Sequence, residues 1–347
     1  MTGAFDGRTI RALRFFDVND LRLVDEAVPT PGPGEVRIRP AAVGICGTDA
    51  HIVDGSFASR PPVILGHEVA GYVDAVGAGV HTVREGDLVT VEPHRYDGTC
   101  RYCRTGREHL CLGKEAYGVH LDGGMAEAQI VPARIAYVLP RGTDPAIGAM
   151  TEPLSCCLHA FDRLAPVAGL PVAIFGAGPA GLILVALPRQ VGLGPVVVLE
   201  PDAARRATAV AFGAAAGVDP MAPDWVEQCH AFVGPEGFDF VIEAVGRPAV
   251  LESTFRIASR GARILVFGVA RPDETAVIKP QEVFAKELTI LGTVINPYTY
   301  HRAVELLPGM GLDRLRVKSY PLAEHAQAFA AQHERVADKV QFAPQGS

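Results

Sequence analysis

The chain has 347 residues, 48% of them hydrophobic and 20% charged, with a formal net charge of −7 at pH 7, which suits two soluble domains with full cores. The acidic balance removes the phosphate-neutralising attraction on which nucleic-acid binding rests, and 37 glycines and 27 prolines scattered without period exclude collagen-like and low-complexity readings. The first residues, MTGAFDGRTIRALRFF, lack the continuous apolar core of a secretory signal, so a cytoplasmic chain is expected. Its seven cysteines then read as metal ligands or buried thiols and not as a disulfide framework. Short β-branched segments at 35–38 and 69–76, separated by turns such as PGPGE and GAGV, predict a β-rich domain over 1–150.

From about residue 150 the pattern changes. Apolar runs at 170–175, 196–200, 238–245 and 263–267 are divided by stretches long enough for helices, the signature of βαβ units and a parallel sheet over 151–293. The charge-free stretch 164–188 is long enough to cross a bilayer. Four prolines and four glycines break it into loop, strand, Gly-rich turn and helix start, so no membrane span is expected. Pro188 falls inside the helix expected after Gly178 and predicts a kink or an early end. The tail, 294–347, carries a helical pattern at 300–307 and a strand-like 339–342, and is expected to rejoin the first domain.

Three constellations carry chemistry. VAIFGAGPAG places Gly176, Gly178 and Gly181 between a strand and a helix, where a dinucleotide fold needs a tight turn, a close approach of pyrophosphate to backbone, and close helix packing. Glu200, at the end of the next strand, suits the ribose hydroxyls of NAD, while Arg205 and Arg206 leave NADP open as the lesser alternative. Cys46 in GICGTDAH, His67 and Glu68 in GHEVAG, and Glu152 in TEPLS are each unremarkable alone, a buried Cys being a small hydrophobe. Together Cys46, His67 and Glu152 form a zinc set with a position left open for water or substrate. Cys100, Cys103 and Cys111, in DGTCRYCRTGREHLC, have the spacing of a closed structural zinc lobe, and their charged, loop-like surroundings argue against a redox CxxC.

PGPGEV, GICGTDAH, GHEVAG, the Gly86 and Asp87 pair, the Cys-rich lobe, GAGPAG and Lys339 with Val340 occur in one order over nearly the whole chain. In these motifs the chain resembles the zinc-dependent medium-chain dehydrogenases, relatives of alcohol and sorbitol dehydrogenases. The resemblance implies an α/β architecture in two parts, a β-rich GroES-like catalytic domain (1–150 and 294–347) and a Rossmann doubly wound parallel sheet (151–293). It implies an enzyme that passes a hydride from a CH–OH carbon to NAD, the hydroxyl proton leaving through Thr48 and His51. By the same resemblance Glu68 exchanges with water at the metal or orients its ligands, and Asp97 stands where relatives carry the first of four lobe cysteines. The dinucleotide would meet Gly176, Gly178, Pro179, Ala180, Gly181, Glu200, Arg205 and Val245, with Lys339 on its pyrophosphate. Glu152 replaces the second Cys of alcohol dehydrogenases, as in the polyol branch, and Cys156 and Cys157 beside it keep an alternative open.

A polyol substrate is the expectation, resting on Glu152, on Phe57 after His51, and on Asn296, whose amide suits a second hydroxyl. A sugar alcohol, cyclitol, vicinal diol, aldose or threonine-like amino alcohol all stay open. From other classes, a zinc-free quinone or enone reductase and a non-catalytic NAD-binding protein compete, and the retained Cys46, His67, Glu152, Thr48 and His51 speak against both. The resemblance also implies a homo-oligomer, a tetramer before a dimer, with small-molecule partners only.

Overall fold

A computed structural model describes residues 9–346; the first eight residues of the segment read for a secretory signal lie outside it. The chain divides into two compact units, one running up to Ser155 and resuming at Pro297, the other Cys156–Asn296. The boundaries fall a few residues after those expected, because the first break lies inside the helix Thr151–Leu164. Its Ser155 carbonyl accepts from Thr299 Oγ1 at 2.8 Å and so stays with the tail.

In the first unit the strand Glu35–Gly44 alternates buried and half-buried residues, Val36, Ile38, Pro40 and Ala42 pointing inward. It is the hub of a seven-stranded sheet: Glu68–Val76 and Gln129–Pro132 pair with it antiparallel, as does Lys339–Phe342 from the tail. Pro40 has no N–H for the ladder, and the register with Glu68–Val76 shifts beside it. The tail strand Lys339–Phe342 lies between Glu35–Gly44 and Val317–Tyr320, and Tyr300 fixes the tail helix by donating to the Val91 carbonyl at 2.7 Å. A hairpin, Thr9–Asp17 with Asp20–Ala27, turns through Val18 and Asn19, the latter in the left-handed region at φ 59°.

The second unit is a six-stranded parallel sheet. Its spatial order is Ala216–Val218, Val196–Leu199, Val172–Phe175, Phe238–Glu243, Ala258–Val266, Thr289–Gly292, or 3-2-1-4-5-6 in chain order, the doubly wound arrangement. Continuous apolar runs such as VAIF and VVVL are buried on both faces. The charge-free stretch resolves into loop, strand Val172–Phe175 and helix Pro179–Gln190, which ends two residues after Pro188. Among the described residues no helix is long and apolar enough to cross a membrane, and all seven cysteines are free.

Candidate functional site

The helix Gly47–Val53 follows the strand Glu35–Gly44 after two residues, with Cys46 at its N-cap. The Cys46 backbone N–H donates to Asp49 Oδ2 at 2.8 Å, and Asp49 Oδ1 lies 3.5 Å from His67 Nδ1. One buried carboxylate thus lies against both segments, and with Asp49 beside Nδ1, Nε2 of His67 is the nitrogen that would ligate a metal. Asp49 was not expected. Its signal was there, an acidic residue three positions after an N-cap.

Cys46, His67 and Glu68 each offer a ligand atom, and the three atoms lie within 4.8 Å of one another. One ion with bonds of about 2.0–2.3 Å reaches all three, and thiolate, imidazole and carboxylate are the borderline-soft donors that suit zinc. Glu152, expected as third ligand, is buried in the first turn of Thr151–Leu164 but does not belong to this group. Glu68 comes in because it faces Gly44 across the ladder, where a Cβ would sit 1.8 Å from its Oε2.

Lys339 was expected on the cofactor pyrophosphate, and its own contacts are within the first unit. It is only 3% exposed, its ammonium is paired with the Glu68 carboxylate, and it donates to the Ile45 carbonyl at 3.2 Å. Its charge is thus balanced by Glu68 within the first unit. The pairing joins residues 271 positions apart in sequence, which periodicity does not reveal.

Burial disfavours a charged imidazole at His67, but Asp49 and Cys46 outweigh it and hold the pKa well above the ordinary histidine range. A ligand must shed its proton to bind metal. Zinc affinity is therefore expected to fall about tenfold for each pH unit below that raised value, with a proton released on binding. Competition with a chelating dye from pH 6 to 8 checks this, and an affinity flat across the range would contradict it.

The second cluster, Asp97, Cys100, Cys103 and Cys111, also brings its ligand atoms within 4.8 Å of one another. Asp97 Oδ1 accepts from the Thr99 and Cys100 N–H groups at 2.6 and 2.8 Å, which holds the carboxylate well below its usual range. Backbone N–H groups of Cys103 and Leu112 pull the Cys100 thiol down to about 7, while desolvation and the Cys111 and Cys100 sulfurs push Cys103 up to about 12. Three sulfurs and one oxygen fit zinc, the oxygen being the harder donor.

Thr48 and His51 lie three residues apart on the helix Gly47–Val53 and so share a face. His51 is 40% exposed at its side chain, with Nδ1 2.9 Å from Ser56 Oγ. Phe57 is exposed beyond it, its N–H donating to the His51 carbonyl at 2.9 Å.

In the second unit Gly176 takes φ +101°, and a Cβ on Gly181 would lie 2.1 Å from the Gly176 carbonyl oxygen, so the turn and the close packing both require glycine. Gly178 caps the helix Pro179–Gln190 with no side chain, Pro179 supplies the first-turn φ, and Ala180 and Gly181 continue that turn at the positive end of the helix. This cradle fits a pyrophosphate. Val245 covers Gly176, with Cγ2 3.0 Å from where a Cβ would be. Glu200 is buried, its Oε2 accepting from the Ala177 N–H at 3.0 Å and lying 3.5 Å from Arg205 Nη2. Arg205 Nε donates to the Ala177 carbonyl at 3.2 Å, so this arginine spans the Gly-rich loop and the carboxylate. Asn296, expected to hold a second substrate hydroxyl, has 0% exposure and is the last residue of the second unit. Its place in INPYTY, between Ile295 and Pro297, gave no sign of that burial.

Two family profiles match, one described as "Alcohol dehydrogenase GroES-like domain" over residues 32–141 and one as "Zinc-binding dehydrogenase" over 179–308. An L-threonine 3-dehydrogenase of Pyrococcus furiosus is 37% identical over 276 residues, 78% of either chain. A D-arabinitol dehydrogenase 1 of Uromyces fabae is 29% identical over 340 residues, 96% of this chain and 97% of that one. Among solved structures, a protein of Sinorhizobium meliloti described as a zinc-binding dehydrogenase and bound to NADP superposes with a TM-score of 0.93 at 36% identity, covering 97% of this chain and 100% of its own.

Proposed function

The chain belongs to the zinc-binding alcohol dehydrogenase family, and from that premise we propose that it oxidises the secondary alcohol of a small polyol to a ketone with NAD. The observation that carries the reading is the first ligand cluster with a hydroxyl and an imidazole on the adjoining helix, Cys46, His67, Thr48 and His51.

Cys46, His67 and a carboxylate from Glu152 or Glu68 would hold zinc, which would supply the Lewis acidity that eases loss of the alcohol proton, while a bound nicotinamide would supply the hydride acceptor. Thr48 can accept a proton while donating its own, and His51 Nε2 takes up what Thr48 passes on and releases it to water. Asp49 fixes the orientation of His67, and Lys339 compensates the charge of Glu68 when that carboxylate is not on metal. Asp97, Cys100, Cys103 and Cys111 would hold a second, structural zinc. Gly176, Gly178 and Gly181 receive the pyrophosphate, and Glu200 accepts from the ribose hydroxyls, which favours NAD because a 2′-phosphate would face a carboxylate. NADP is the second reading, supported by Arg205 beside Glu200 and by the NADP-bound relative.

For substrate, arabinitol in one relative's name supports a polyol, and threonine in another's supports a secondary alcohol beside an amine. Both place a polar group next to the CH–OH carbon. The test is NAD and NADP reduction with pentitols, hexitols, butane-2,3-diol, aldoses and L-threonine, before and after chelation and on zinc return. Turnover of a polyol that is lost with zinc and recovered on its addition is expected. A preference for L-threonine replaces the substrate and keeps the chemistry. Turnover that survives zinc removal, or nucleotide binding without turnover of any alcohol, overturns the reading.

A further inference from the structure

The loop after the helix Gly47–Val53 builds a structure around His51 that the proposed chemistry leaves unused. His51 Nδ1 is 2.9 Å from Ser56 Oγ, and Ser56 Oγ is 2.5 Å from Asp54 Oδ1. Asp54 Oδ1 also accepts the Ser56 N–H at 2.8 Å, and its Oδ2 lies 3.8 Å from His51 Nδ1. The loop is held from outside. The tip of the Thr9–Asp17 and Asp20–Ala27 hairpin reaches it, the Asn19 N–H donating to the Val53 carbonyl at 2.8 Å. Val18 lies so close that a Cβ on Gly55 would come within 2.8 Å of its methyl.

Proton counting fixes the direction of these bonds. A carboxylate only accepts, and a serine hydroxyl has one proton. At 2.5 Å that proton belongs to the bond with Asp54; the 3.4 Å contact of Ser56 Oγ with the His51 carbonyl is the longer and weaker alternative. Ser56 Oγ must then accept from His51, so the imidazole carries its proton on Nδ1 and keeps a lone pair on Nε2.

We propose that Ser56 and Asp54 are positioning residues that hold His51 in the Nδ1–H tautomer, so that Nε2 is always the nitrogen open to protons from Thr48. The inference rests on the reading of Thr48 and His51 as the proton exit. In one passage Nε2 takes a proton from the Thr48 hydroxyl, which is replenished from the substrate hydroxyl. His51 becomes a cation whose Nδ1–H stays on Ser56, and the Nε2 proton goes to water. The imidazole is restored in its starting tautomer. Without Ser56 the neutral ring is free to carry its proton on Nε2, and a ring in that form cannot accept there.

The test combines a spectrum with a double-mutant cycle. Long-range proton–nitrogen NMR of the zinc-loaded protein, with His51 assigned by its loss in His51→Gln, is expected to show Nδ1 protonated and Nε2 bare, and Ser56→Ala to shift the ring toward Nε2–H. In turnover, Ser56→Ala and Asp54→Asn are each expected to lower kcat on the order of tenfold with KM unchanged. Ser56→Thr should restore the rate, and Ser56→Ala should cost nothing further in a His51→Gln background. An Nε2–H tautomer in the wild type, or a Ser56→Ala penalty that persists in full without His51, overturns the proposal. The spectrum needs no turnover, so a wild type that oxidises no alcohol defeats the functional reading while the tautomer is still decided.

Discussion

Replacing Thr48 by valine is expected to lower kcat for alcohol oxidation by a factor of about 10²–10⁴, the range by which a positioned proton-transfer group accelerates a reaction. Valine keeps the shape and the β-branch and removes only the hydroxyl. Thr48 stands two residues after Cys46 and three before His51 on the helix Gly47–Val53, and on the reading proposed above it is the group that hands the substrate proton to the imidazole. Zinc content and thermal midpoint should stay at wild-type values, because the Cys46–Asp49–His67 bonds do not involve the side chain. Thr48→Ser should retain most of the activity. Steady-state kinetics beside metal analysis decides the matter, and a Thr48→Val protein that keeps full zinc and more than half of its kcat removes Thr48 from the proton path.

How much of this was legible in sequence follows the range of the interactions. The strands Val172–Phe175 and Val196–Leu199 were legible because short apolar runs are bounded by glycine, proline or charge, and the Gly-rich turn because Gly176 and Gly181 answer local steric demands. Cys46 with His67, and Cys100 with Cys103, were legible from local motif chemistry. Asp49 was missed because its role lies in two bonds, one local to Cys46 and one reaching across to His67. The pairing of Glu68 with Lys339 was missed for the same reason. Which way a carboxylate turns depends on the space over Gly44 and on a lysine from the far end of the chain. The full burial of Asn296 was not legible, because burial depends on residues distant in sequence.

The second large effect falls on stability. Lys339→Met leaves the buried Glu68 carboxylate without its cation, and breaking a buried pair in this way costs about 3–5 kcal/mol. The double change Glu68→Gln with Lys339→Met removes both charges and should recover much of that loss, so the two substitutions will not add. Burial works against the Lys339 ammonium, but Glu68, with Cys46 and Asp49 behind it, holds its pKa above the ordinary lysine value. A raised pKa contributes stability that is complete below the unfolded value of about 10.4 and is lost as pH rises through the folded one. The pair should therefore hold constant from pH 6 to 9 and weaken only in stronger alkali. Urea unfolding of the three variants measures this, and a loss under about 1 kcal/mol for Lys339→Met, or strict additivity, would show that the ion pair does not carry the stability assigned to it.

The tail strand sets an order of events during synthesis. Glu35–Gly44 is made early, yet one of its neighbours, Lys339–Phe342, emerges almost 300 residues later. At about 5–20 residues per second the hub strand waits on the order of 15–60 s on the ribosome with that side of its ladder open. The parallel sheet of Cys156–Asn296 has all its strands in one continuous stretch and can close before the last of the chain is made. The β-rich unit is thus the one exposed to chaperones and to premature metal capture by loose thiols. A ribosome stalled just before Lys339 would display a parallel sheet already formed and a β-rich unit still waiting for its seam.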